Sequence, residues 1–188
     1  MAGNFLRDRS FIATLDCTTP GWEGFLDTCE LSLYGTGGYP VPNYKNGWLT
    51  LTNYPLDRER RTSFWFGCWE YEGQHFYEVR TNDLGPGAVH PNLRLGWSHN
   101  NYIGLYPAKG RLAAEWQLQG NDGQMVAPSR IAVDTLWGVS LKFTHGSAMR
   151  AYARRQVRNY WYSFLNEAEG PTLRFKLSIS QVGVGIPD

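Results

Sequence analysis

The sequence predicts a mainly β protein, an antiparallel two-layer β-sandwich or, as the alternative, a closed barrel, with one amphipathic helix near 147–169. Three observations lead there. Aromatic residues make up 15% of the 188 positions, with 8 Trp, 11 Tyr and 9 Phe, and such side chains favour the pleated surface of strands. The 21 Gly and 10 Pro gather into turn signals at Pro20-Gly21, 35–42, Asn46-Gly47, 85–87, Pro107, 120–123 and Gly170-Pro171. The last segment, 172–180 (TLRFKLSIS), alternates throughout: Leu173, Phe175, Leu177 and Ile179 on one side, Arg174, Lys176, Ser178 and Ser180 on the other. One dry face and one wet face is how an antiparallel sheet presents itself.

Taken along the chain, β-rich segments between these turns place strands at 11–16, 30–34, 48–53, 63–71, 76–81, 93–97, 102–106, 114–118, 139–143 and 172–180. Segment 63–71 (SFWFGCWEY) is apolar on both faces, since Phe64, Phe66 and Cys68 alternate with Trp65, Trp69 and Tyr71. A strand of that kind lies between two layers or offers one aromatic face to a ligand.

The helix is expected from a change of period. Across 147–169, Met149, Ala153, Val157, Tyr160, Trp161, Phe164, Leu165 and Ala168 recur at three- and four-residue spacing. Ser147 can cap its start, and Gly170-Pro171 can stop it. Its charges run against a helix dipole, with Arg150 and Arg154 early and Glu167 and Glu169 late. The alternative is that 157–165 pairs as a hairpin with an earlier strand.

Nothing reads as a linker, so 1–188 is expected to be a single domain, long enough to bury about 70% of its unfolded surface. Eighteen basic and seventeen acidic side chains leave a net charge of +1. No global field draws this chain to nucleic acid, and none is expected as a partner. The start carries Arg7, Asp8 and Arg9 where a signal peptide needs an apolar run. No stretch approaches the roughly 20 apolar residues of a membrane span. The expected setting is cytoplasmic, or release as part of a particle. Cys17, Cys29 and Cys68 lack CxxC spacing and read as free buried thiols; a Cys17–Cys29 bridge is the alternative in an oxidising compartment.

The residues that carry chemistry are few. His75, His90, His99 and His145 show no ligand spacing, so no metal and no cofactor is expected. There is no GxSxG elbow, and the glycines of 35–38 precede Tyr39-Pro40 rather than a helix, which excludes a phosphate cradle. Glu70, Glu72 and Glu78, set among Trp65, Trp69 and Tyr77, are the right residue types for a sugar-cleaving pair of carboxylates. Arg150, Arg154, Arg155 and Arg158, and the mixed-charge run 57–61, read as solvated surface.

The strongest local signal is 95–107 (LGWSHNNYIGLYP). Trp97, His99, Asn100, Asn101, Tyr102 and Tyr106 combine flat apolar rings with amide donors and acceptors. Sugar recognition needs that pair of properties, because a ring stacks on the C–H face while amides meet the hydroxyls. Protein-binding hot spots use the same residues. The competing reading is a hairpin with Asn100-Asn101 at its turn and the aromatics in the core.

Residues 73–97 carry Phe76, Tyr77, Glu78 and Val79, then a loop, then Arg94, Leu95, Gly96 and Trp97. This resembles the middle of a SPRY domain, where a YFEV-type strand precedes RLGW or RVGW. The resemblance covers about an eighth of the chain, and the FxxNG-type strand of such domains is missing. It implies a two-sheet sandwich that binds proteins.

The expected function is a non-catalytic, lectin-like binding module that presents Trp- and Tyr-rich loops to a glycan or a partner protein. One alternative is a self-assembling structural subunit of a large assembly such as a virion or tail particle, motivated by the abundance of aromatics. The other is an enzyme on polysaccharide or a small molecule, using Glu70, Glu72 or Glu78 with His99.

Overall fold

The computed structural model describes residues 3–44, 46–56, 60–82, 90–108 and 114–187. The turn signal at 85–87 and most of the charged run at 57–61 lie outside them. Sixteen strands form among the described residues: β1 (Asn4–Phe5), β2 (Phe11–Cys17), β3 (Gly24–Asp27), β4 (Glu30–Tyr34), β5 (Tyr39–Asn43), β6 (Thr50–Thr52), β7 (Phe64–Tyr71), β8 (Gln74–Thr81), β9 (Leu93–Trp97), β10 (Ile103–Pro107), β11 (Trp116–Gln119), β12 (Thr135–Phe143), β13 (Arg150–Ala151), β14 (Arg155–Val157), β15 (Tyr160–Asn166) and β16 (Phe175–Val182). Helical conformation among the described residues is confined to short 3-10 turns, including Arg7–Arg9 and Pro128–Arg130.

The strands pair antiparallel throughout. From β2 the ladders run through β7, β8, β11, β12 and β16 and return to β2. β2 makes this possible by dividing one edge: Phe11–Ala13 pair with β7, while Asp16 and Cys17 pair with β3. From β3 a second path runs through β6 and β15. It reaches the β9–β10 hairpin through Leu49 N donating to Ile103 O at 3.0 Å and Leu105 N donating to Gly47 O at 2.8 Å. That hairpin leads back to β8 through Arg80 and Arg94.

Both paths turn their apolar positions onto one continuous core. Phe11, Ala13 and Leu15 of β2, Phe64 and Phe66 of β7, and Phe175, Leu177 and Ile179 of β16 meet Leu26, Leu51, Leu95, Ile103, Trp161 and Leu165 there. The alternation in 172–180 is therefore one-sided, as expected. In β7 the second face is covered too. Phe5 of β1 lies 5.1 Å from the Trp69 ring and 6.2 Å from that of Trp65, and the Arg80 guanidinium stands 5.2 Å from the Trp65 ring.

The expected helix at 147–169 does not form. The segment folds as β13, β14 and β15, with β14 and β15 joined through Arg158, which takes φ +58°. β15 pairs with the earlier strand β6, Tyr162 opposite Thr52 and Phe164 opposite Thr50. The period misleads because β15 is dry on both faces. Trp161 and Leu165 enter the main core, while Tyr162 and Phe164 pack with Leu31 in a second cluster. Apolar pairs at 160–161 and 164–165 fit a helical stripe as well as a two-sided strand. The reversed charges on this segment were the sign against a helix.

Candidate functional site

The candidate site is built on the β9–β10 hairpin. Its turn is stapled by Ser98, whose backbone N donates to Tyr102 O at 2.9 Å. The Ser98 hydroxyl oxygen accepts from Tyr102 N at 3.1 Å and from Asn100 N at 3.3 Å. Asn101 takes φ +63°, a left-handed conformation that asparagine tolerates better than most residues. His99, Asn100 and Asn101 form the exposed tip. They do not line the groove described next.

Below the tip, period-two alternation divides the hairpin. Leu95 and Ile103 go into the core. Opposite pairing puts Gly96 beside Gly104 and Arg94 beside Tyr106. The two glycines make room for rings. A Cβ on Gly96 would stand 3.2 Å from the Tyr106 ring, and one on Gly104 would stand 3.0 Å from the Trp48 ring and 3.2 Å from the Tyr106 hydroxyl.

Where this hairpin meets the β11–β12 ladder there is a groove of about 400 Å³, lined by Arg94, Gly96, Trp97, Tyr106, Glu115 and Phe143. Trp97 is wedged between Trp116 at 5.7 Å and Phe143 at 5.2 Å, the latter edge-on. Its indole Nε1 is buried without an acceptor among the described residues. Glu115 is held by Thr144, whose N and Oγ1 donate to Glu115 O at 2.8 and 2.7 Å. Partial burial pushes the Glu115 carboxyl above its ordinary range, against the pull of Arg94 and His145. Burial likewise raises the Tyr106 hydroxyl. The groove thus offers a guanidinium donor, a carboxyl acceptor and aromatic walls.

A run of rings continues from it. Tyr106 and Trp48 converge on Gly104. Trp48 lies 5.5 Å from Tyr102, which lies 4.9 Å from Tyr152 and 5.6 Å from Phe164. Trp48, Tyr102, Tyr106 and Tyr152 are all half-buried. Of the six residues expected to bind, Trp97 and Tyr106 thus share the groove, and Tyr102 belongs to the adjoining run. Glu115, Phe143, Trp48 and Tyr152 were missed because only the pairing of distant strands brings them here, and Arg94, which the hairpin itself sets opposite Tyr106, was missed as an ordinary strand charge.

The expected carboxylates lie elsewhere and apart. Glu78 is opposite Gly67 and Glu70 is opposite His75, so the two fall on opposite faces of the β7–β8 ladder. Glu78 is 1% exposed and ion-paired to Arg80, while Glu72 sits in the turn after β7 at φ +50°. Two carboxylates across one cleft are not formed by this ladder.

The arginines of 150–158 act as braces. Arg154 lies over Trp22 and Trp161 at 4.7 and 5.1 Å, Arg155 over Phe164 at 4.8 Å, and Arg158 donates to the carbonyls of Gly37 and Gly38. Cys17, Cys29 and Cys68 are free, buried thiols. Among the described residues there is no cluster of metal-ligating side chains, and no helix long and apolar enough to cross a membrane.

No protein-family model, curated protein sequence or solved structure matches this chain. The SPRY-like residues occupy β8 and β9, which meet through Arg80 and Arg94, and no wider family similarity supports that resemblance.

Proposed function

We propose that this chain is a non-catalytic binding module that holds a glycan along Tyr106, Trp48, Tyr102 and Tyr152, with one unit seated in the groove between Arg94 and Glu115. The run of half-exposed rings leading out of a polar-lined groove carries this reading. Rings take the C–H faces of successive sugars, while Arg94 and Glu115 meet hydroxyls at one end and fix the register. For the fold, a ladder circuit that leaves β2 through β7 and returns to it through β16 supports the closed barrel over the two-layer sandwich.

A glycan array followed by tryptophan-fluorescence titration tests the reading. A bound glycan should shift the emission, and Tyr106→Ala should weaken binding roughly five- to tenfold, the worth of about 1–1.4 kcal/mol of ring contact. Wild-type affinity in both Tyr106→Ala and Tyr102→Ala would sink it, as would an array without a ligand.

A second reading, a self-assembling structural subunit, is favoured by the β4–β5 hairpin. Its end exposes the cross-strand pair Tyr34 and Tyr39, each at 73%, on one face and Leu33 on the other, and exposed apolar side chains grouped in this way mark interaction sites. Light scattering decides it: a monomer at all concentrations removes this reading, while a particle dispersed by Leu33→Asp supports it.

A further inference from the structure

We propose a second carbohydrate site, for a single uncharged sugar ring, built on Trp137 and sharing no lining residue with the groove at Tyr106. Trp137 is 65% exposed, and the cause is local. Between Leu136 and Val139 the β12–β16 ladder carries one extra residue on β12, because Leu136 faces Leu177 and Val139 faces Phe175. Such a bulge breaks the alternation and re-aims a side chain.

The exposed ring is held in place. Lys176 Nζ stands 5.3 Å from its centroid and is itself tied to Asp16 at 3.3 Å. Gly138, in the bulge, takes φ +68°, and a Cβ there would collide with the Asn121 side chain at 2.2 Å. Asn121 therefore lies directly on the bulge backbone. Arg174 Nη1 joins loop and bulge by donating to Gly120 O at 3.0 Å and Gly138 O at 3.4 Å. The turn that carries Asp122 is closed by Gln124 N donating to Asp122 Oδ1 at 3.0 Å.

Together these make a recess of about 240 Å³ whose lining includes Asn121, Asp122, Arg130 and Trp137. It is smaller than the about 300–1,000 Å³ of sites that enclose drug-sized ligands, which limits the occupant to one small ring. An amide, a carboxylate and a guanidinium around an indole face supply both donors and acceptors. Their charges cancel, which favours a neutral polyol over a phosphate. A backbone irregularity that exposes an indole beside three polar groups is the geometry a stacked pyranose requires. This inference stands without the groove. If both sites bind, one module grips two places on a glycan, with the gain in avidity that linkage brings.

The test uses the full chain labelled with fluorotryptophan, with the Trp137 resonance identified by its loss in Trp137→Phe. Methyl glycosides of glucose, galactose, mannose and N-acetylglucosamine are titrated singly to tens of millimolar. One of them should shift the Trp137 resonance saturably, both in the wild type and in Tyr106→Ala. Asp122→Asn keeps the turn acceptor while removing the charge, and should weaken that response fivefold or more. A Trp137 resonance unmoved by the whole panel overturns the proposal. So does a shift unchanged by Asp122→Asn, or one lost in Tyr106→Ala.

Discussion

The Arg80 Nε donates to the Glu78 carboxylate at 2.9 Å, with both side chains almost wholly buried on the outer face of the β7–β8 ladder. Arg80 Nη1 also donates to Asn92 Oδ1 at 3.1 Å and to Pro187 O at 3.4 Å, so the pair anchors the end of the chain. Truncating one partner strands the other charge in a dry setting. Arg80→Ala should therefore cost about 3–5 kcal/mol, whereas replacing both partners by apolar residues of similar volume should cost much less. Urea unfolding of the single and double variants checks this; equal losses in both would refute it.

Asp27 should make the protein less stable at neutral pH than its asparagine variant. Burial raises the carboxyl from 3.8 to about 6, against hydrogen bonds from Thr28 N at 2.6 Å and Thr62 Oγ1 at 2.9 Å. A folded-state pKa above the unfolded one favours the protonated native state. Its stabilising contribution is full below about pH 4 and lost as pH rises through about 6. Ionised Asp27 then costs about 3 kcal/mol. Asp27→Asn should match the wild type near pH 4 and exceed it by roughly that amount at pH 7.5, as read by denaturation across the range. A difference independent of pH would overturn the assignment.

Gly170 should tolerate no side chain. It takes φ +86°, and a Cβ would sit 1.9 Å from the Ala151 carbonyl oxygen. Gly170→Ala therefore combines backbone strain with a clash against main chain, at least about 2 kcal/mol. Gly35→Ala is the comparison, since φ is +70° there with nothing within 4 Å, and it should lose only about 1 kcal/mol. Similar melting points for the two variants would show that the close approach to Ala151 is absent in solution.

The cysteines should be inert until the protein unfolds. Burial raises all three thiols above their ordinary range, Cys68 to about 11, and so disfavours the reactive thiolate in the native chain. A thiol-exchange reagent should react slowly with the native chain and rapidly with three groups in guanidinium. Fast titration of any one cysteine in the native state contradicts the packing at that position.

The strand faces were legible in the sequence wherever one side is dry and the other wet. In 172–180 the period of two picks out Phe175, Leu177 and Ile179 as core residues without any knowledge of neighbours. The two apolar faces of 63–71 left a strand between layers and one with an open aromatic face as alternatives, and the packing of Phe5 and Arg80 decides for the first. The same property at 160–166 was misread, since apolar pairs four residues apart satisfy a helical period equally well. At the candidate site, Trp97 and Tyr106 were visible because their residue types are distinctive. Glu115 and Arg94 were not, being ordinary charges on ordinary strands.

What the sequence by itself determined, then, is the β character, turns such as those at Pro20-Gly21 and 120–123, and the inward face of the last, one-sided strand. Residues 39–42 and Pro107, also expected in turns, belong to β5 and β10. The features so determined depend on local period and on the conformational preferences of glycine, proline and aromatic residues, all of which act over a few positions. Only the tertiary structure decided that β15 pairs with β6, that Tyr106 and Glu115 line one groove, and that a bulge turns Trp137 outward. Hydrophobic burial is non-directional. It states which faces must be dry, and leaves the choice of which distant strand covers each one to the packing of the whole chain.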